Sequence, residues 1–155
     1  MPVRQNEATP EEKAFIESTL QDAVKRRFPN VKTVSTDDID VLVKGSKDKP
    51  WVEHLVATAS PNVVGRVEGI DRLSKRLGVR YLLQTDIRYA EIAGGAQHVR
   101  IFGRLWDGWE KEIVWSGYGE ARGYVYLFFP AVPAPFEKDA KVAVNGLVSK
   151  LPKVR

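Results

Sequence analysis

His54 and His98 are the only histidines in the chain, and imidazole is the side chain most readily recruited for metal binding or proton transfer near neutral pH. They fall on different predicted elements, and neither has a partner at HExxH or HxH spacing, so neither reads as a metal ligand. Asp37, Asp38 and Asp40 offer three carboxylates to a magnesium ion. They also open a predicted helix, where carboxylates cap amides and complement the dipole, and that role accounts for them. No serine lies in a G-x-S-x-G turn with a histidine placed to activate it. Cysteine is absent, which excludes a thiolate zinc site, a cysteine nucleophile and a disulfide framework. Gly94-Gly95 joins two predicted strands and lacks the helix amino terminus that would cradle a phosphate. The expectation is a protein that is not an enzyme and takes no cofactor or metal.

Two constellations suit binding rather than catalysis. His98, Arg100, Phe102, Arg104 and Trp106 alternate along one predicted strand. With Arg88 on the strand before, they form a basic and aromatic face of the kind that single-stranded RNA platforms use. Against that reading, residues 99–106 do not satisfy the RNP1 pattern. The 24 Lys and Arg also stand among 20 Asp and Glu, for a net charge of only +4 and a pI near 9.3. A dedicated nucleic-acid binder concentrates its bases, because affinity comes from neutralising adjacent phosphates. Nucleic acid is therefore the alternative partner.

The second constellation is the segment 123–135, where Tyr124, Tyr126, Phe128 and Phe129 are followed by Pro130, Pro133 and Pro135. Prolines cannot continue a central strand, so the segment reads as a stiff hydrophobic loop. Either it packs across the open end of the sheet as core, or it is an exposed surface for self-association, a membrane or a partner.

The elements that position these residues are marked by hydrophobic period. Thr9-Pro10-Glu11-Glu12 supplies a capping hydroxyl, a proline at the first helical position and a carboxylate at the third. The helix it opens carries Ile16, Leu20, Ala23, Val24 and Phe28 in one stripe. Val31-Lys32-Thr33-Val34 alternates and reads as a short strand. Short helices follow around Ile39, Leu42 and Val43 and around Trp51, Leu55 and Val56, and Ser60-Pro61 caps a longer one that ends at Gly78. From Val79 the period changes to two. Strands at 79–89, 99–106 and 111–122, turning at 93–96 and at Asp107-Gly108, make an antiparallel meander. Phe136, Ala140, Ala143, Val144, Leu147 and Leu151 form a last amphipathic helix. The expected fold is a single α+β domain over 1–155, with a mixed sheet whose three-strand antiparallel meander (about 79–122) is packed by amphipathic helices. At 155 residues, with 43% hydrophobic and 28% charged, the chain has the balance of one globular domain. Its longest apolar stretch, 124–136, falls short of the roughly 18 residues a spanning helix needs.

Arg76-Leu77-Gly78-Val79-Arg80-Tyr81-Leu82-Leu83, Val99-Arg100-Ile101-Phe102-Gly103-Arg104-Leu105-Trp106-Asp107 and Glu112-Ile113-Val114-Trp115-Ser116-Gly117 resemble the strand signature of bacterial envelope lipoproteins. These are the CsgG-like, penicillin-binding-protein activator and PelC-type group, whose fold is similar to the amino-terminal domain of TolB. The element order agrees over about 9–152, with close similarity confined to 76–117. The resemblance implies a TolB-like fold and a non-enzymatic scaffold, assembly or regulatory role in secretion, polysaccharide export or cell-wall synthesis. It implies envelope protein partners, possible homo-oligomerisation and a periplasmic, outer-membrane-anchored location. No catalytic residues transfer with it. Two departures stand out: only Pro2-Val3-Arg4 remains of the family's usual opening strand, and the lipobox cysteine is absent. Residues 1–6 also lack the apolar core of a leader. The expectation is a first strand truncated at the amino terminus and a lipid anchor absent from this chain, with a cytoplasmic outlier as the alternative.

Overall fold

The computed structural model describes residues 8–34, 38, 39, 41, 44, 64–93, 95–125 and 132–153. Helix α1 (Pro10–Arg27) starts as its local sequence requires: the Thr9 hydroxyl accepts the Glu12 amide at 3.2 Å and the Glu12 carboxylate accepts the Thr9 amide at 2.8 Å. This reciprocal box satisfies two amides that the first turn would leave without partners. Helix α2 (Val64–Leu77) leads into strands β1 (Tyr81–Ala93), β2 (Ala96–Asp107) and β3 (Glu112–Val125). A two-residue strand, β4 (Val132–Pro133), and helix α3 (Phe136–Ser149) complete the order. The four strands lie in sequence order in one antiparallel sheet, so the fold is α+β with the expected meander.

Three local expectations are corrected. Residues 31–34 form a bend and irregular backbone, not a strand, because β-branched alternation holds a strand only where a neighbour pairs with it. The sheet is antiparallel among the described residues rather than mixed. Tyr124 lies in β3, where Tyr124 pairs with Pro133 and Val125 with Val132. Proline is tolerated there because β4 is an edge strand. Of the short helix expected after Ser35, Asp38, Ile39 and Val41 are helical. The Trp51 helix, His54, and Tyr126, Phe128 and Phe129 of the aromatic segment lie outside the described residues.

Packing divides the chain into two compact units that share the three long strands. The first takes α1, α3, β4, β1 from Thr85, β2 to Gly103 and β3 from Ser116. Its core is Ile16 and Ala23 of α1, Val99 and Ile101 of β2, Ala121 of β3, and Ala140, Ala143, Val144, Leu147 and Val148 of α3. The two helices meet through the Phe15–Phe136 ring pair, with centroids 6.3 Å apart, and Arg27 donates to the Leu151 carbonyl at 2.8 Å. Against α3, β3 presents Gly117, Gly119, Ala121 and Gly123, small residues at every second position. A Cβ on Gly119 would collide with the Ala143 carbonyl oxygen and come within 2.8 Å of Leu147 Cβ.

The second unit takes α2, β1 to Gln84, β2 from Arg104 and the β2–β3 turn. Among the described residues Trp106 is its largest buried side chain, set against Ile70, Leu73 and Leu82, with its indole N–H donating to Gln84 Oε1 at 3.3 Å. Helix α2 ends at Gly78, whose φ of 65° is the left-handed conformation glycine adopts without steric penalty. The Ser74 hydroxyl donates to the Val79 carbonyl. Asp107 organises the turn: Oδ1 accepts the amides of Trp109 (3.0 Å) and Glu110 (3.2 Å), and Oδ2 receives Arg80 at 2.8 Å. Much of the R-L-W-D signature is thus accounted for by burial and turn formation.

Two buried carboxylates respond to pH in opposite directions. At Asp107 burial works to raise the pKa, but Arg80 and the Glu110 and Trp109 amides outweigh it, and the carboxyl sits below its ordinary value. Its contribution to stability is present at neutral pH and lost as pH falls through that lowered value. Asp139, 4% exposed in the first turn of α3, is the reverse. Burial raises its pKa, opposed by Lys138 and by the Gly123 amide that donates to it. Its Oδ2 has no hydrogen-bond partner among the described residues. The folded state therefore holds this proton more tightly than the unfolded chain does, and stability declines as pH rises from the ordinary carboxylate value through the raised one. Asp139→Asn keeps an acceptor for Gly123 and removes the charge. It is expected to raise the melting temperature at neutral pH by about 2–4 °C and to flatten that decline, as thermal melts across pH would show.

Candidate interaction surface

Strand alternation sorts the first unit's sheet into two faces. Along β2, Val99, Ile101 and Gly103 are buried, while His98, Arg100 and Phe102 are half-buried on the opposite side. On β3 the small residues face α3, and Ser116, Tyr118, Glu120, Arg122 and Tyr124 are exposed, with Tyr118 at 40% and Tyr124 at 39%. Contacts across and along the strands tie these side chains together. The Phe102 and Tyr118 rings lie 4.8 Å apart at 43°. Arg88 of β1 stands over Phe102 at 5.3 Å, and Arg100 over Tyr118 at 4.3 Å. Arg122 stands over Tyr124 at 5.9 Å. Carboxylates are interleaved: Asp86 pairs with Arg88 at 2.9 Å, and Glu120 lies 2.8 Å from His98 Nε2 and 3.7 Å from Arg100 Nε.

The result is a tiled surface of guanidinium, ring and carboxylate. Three arginines stand against two acids, so the charge is nearly balanced. Each cation lies over a ring face, attracted by the ring quadrupole. Long side chains held this way have already lost part of their rotamer freedom, which reduces the entropy cost of binding. Arginine and tyrosine are also the residue types enriched at the energetic centres of protein interfaces.

No known protein family, curated protein or solved structure matches the chain.

Of the residues anticipated for a nucleic-acid face, Arg88, Arg100 and Phe102 come together on this surface. Arg104 occupies the next half-buried position of the same register, in the second unit. Trp106 does not belong with them: at 1% exposed it is core, covered by Ile70 and Leu73 of α2. From the aromatic segment only Tyr124 is described, and it extends the surface along β3. Tyr118, Glu120 and Arg122 were missed from sequence. The signal was there in the small residues at 117, 119, 121 and 123, which mark the face beneath a helix and leave the positions between them outward. Among the described residues no group of three or more metal-ligating side chains comes together, and no helix is long and apolar enough to cross a membrane.

Proposed function

We propose that this is a non-enzymatic interaction domain of the bacterial cell envelope. It would be held in the periplasm by a lipid anchor on the full-length protein, with a protein partner docking on the open face of the first unit's sheet. The observation that carries the docking is the tiled surface around Arg100, Tyr118, Glu120 and Phe102. The envelope setting rests on the lipoprotein-like strand signature. Charge balance favours protein over nucleic acid as the partner: Asp86 and Glu120 stand among the arginines of this face, and carboxylates repel phosphates.

Membrane fractionation of the full-length gene product tests the setting. The product is expected in the membrane pellet and released by detergent; a freely soluble cytoplasmic protein would sink the envelope reading. The ring and arginine contacts keep nucleic acid as the second reading. Fluorescence anisotropy with labelled single-stranded RNA at low salt is expected to show no binding. Saturable binding that weakens with added salt and with Arg100→Ala and Arg104→Ala would put RNA in the partner's place.

A further inference from the structure

Strand β1 is the outer strand of the sheet and runs for 13 residues, Tyr81–Ala93, without a proline. Among the described residues no strand pairs with its outer edge. A long edge is a ready template for another strand, and proteins usually guard it with charge or proline. The charge on β1 is of an unusual kind. Asp86 and Arg88 flank Ile87 on one face, within 2.9 Å of each other, with side chains 24% and 40% exposed. Near the far end, Ile92 is 64% exposed.

A lone lysine at the centre of an edge repels its own symmetry mate. An acid and a base two residues apart do the opposite when two such strands meet antiparallel about the residue between them. Residue 86 of one strand then lies opposite residue 88 of the other, and the reverse, so both cross-strand pairs are attractive. The same register places Thr85 opposite residue 89 and sets Leu82 of the second copy across from exposed Ile92. Slipping it in either direction loses the charge match.

We infer that β1 is the seam of a two-fold dimer of this chain, with two β1 edges joined antiparallel about Ile87. Asp86 of each copy faces Arg88 of the other, and the two sheets become one. Such an interface is isologous, the same patch on both copies, as two-fold symmetry requires, and its backbone bonds are those of strand addition. The inference does not depend on the envelope reading; it shares Asp86 and Arg88 with the open face of the sheet but needs no partner docked there.

The test uses charge reversal on the full chain, followed by sedimentation velocity from about 1 µM to about 1 mM, a range that covers weak and firm dimers. The wild type is expected to be a reversible dimer. Asp86→Arg alone and Arg88→Asp alone each turn two attractive pairs into repulsive ones, raising Kd by about tenfold to a hundredfold. Mixing the two variants restores attraction, since one strand now carries two arginines and the other two aspartates. The mixture is expected to form a heterodimer at least as tight as the wild-type dimer. The double variant Asp86→Arg with Arg88→Asp is expected to pair with itself. Recovery on mixing also shows that each variant is folded. A wild type that stays monomeric at the highest concentration overturns the inference. So does a dimer indifferent to either single reversal, or a mixture of variants that fails to pair.

Discussion

Replacing Gly119 with alanine is expected to destabilise the protein by about 2–3 kcal/mol, toward the upper end of what overpacking usually costs, and Gly119→Val is expected to prevent stable folding. The reason lies in two backbones. Gly119 of β3 faces the Ala143 carbonyl of α3 so closely that a single methyl group collides with main-chain atoms. A flexible side chain could rotate away, but a helix carbonyl moves only if the helix moves. Lifting α3 would in turn loosen Ala143, Val144 and Leu147, each fully buried, and the Lys150 Nζ bond to the Tyr118 carbonyl at 2.7 Å. Urea unfolding followed by circular dichroism measures the loss. If Gly119→Ala unfolds within about 0.5 kcal/mol of the wild type, the helix does not approach the strand as described.

The second large effect is expected at Trp106. Trp106→Ala removes a fully buried indole from the core of the second unit and should cost about 3–5 kcal/mol. Trp106→Phe retains most of the apolar contact with Ile70, Leu73 and Leu82 but loses the indole N–H bond to Gln84, and should cost about 1–2 kcal/mol. Phe102→Ala, at a position anticipated for the same face, should cost less than Trp106→Ala because Phe102 is only half-buried. The comparison separates the two roles. If Phe102→Ala and Trp106→Ala lose equal stability, Phe102 is core as well and does not belong to the open surface.

The confusion of Trp106 with Phe102 shows what strand periodicity conveys. Alternation along β2 assigns residues 98 to 106 correctly to one register, but it does not say what lies over that register. At Arg100 and Phe102 the ring and guanidinium neighbours leave it partly open, and at Trp106 it is closed by α2. Local chemistry was more legible. The Thr9–Glu12 box, the left-handed Gly78 and the turn after Asp107 each depend on residues within a few positions, so their types suffice to place them. The strand expected at 31–34 fails for the complementary reason: among the described residues alternation there has no neighbour to pair with. The interaction surface was half legible, since β2 announced its arginines and rings. The strand at 111–122 was legible as well, but not which of its faces stays open, because that depends on the helix packed over its small residues.

The pairing of α1 with α3 also has a consequence during synthesis. The bonds from Arg26 to Asn145 and from Arg27 to Leu151 span 119 and 124 residues. At about 5–20 residues per second, the ribosome needs roughly 6–25 s to make the second partner after the first. Most of a helix's stability in a protein comes from tertiary packing rather than from intrinsic propensity. Throughout that interval the side of α1 that packs on α3 lacks its native partner, and the amino-terminal helix stays open to a chaperone until translation passes Leu151.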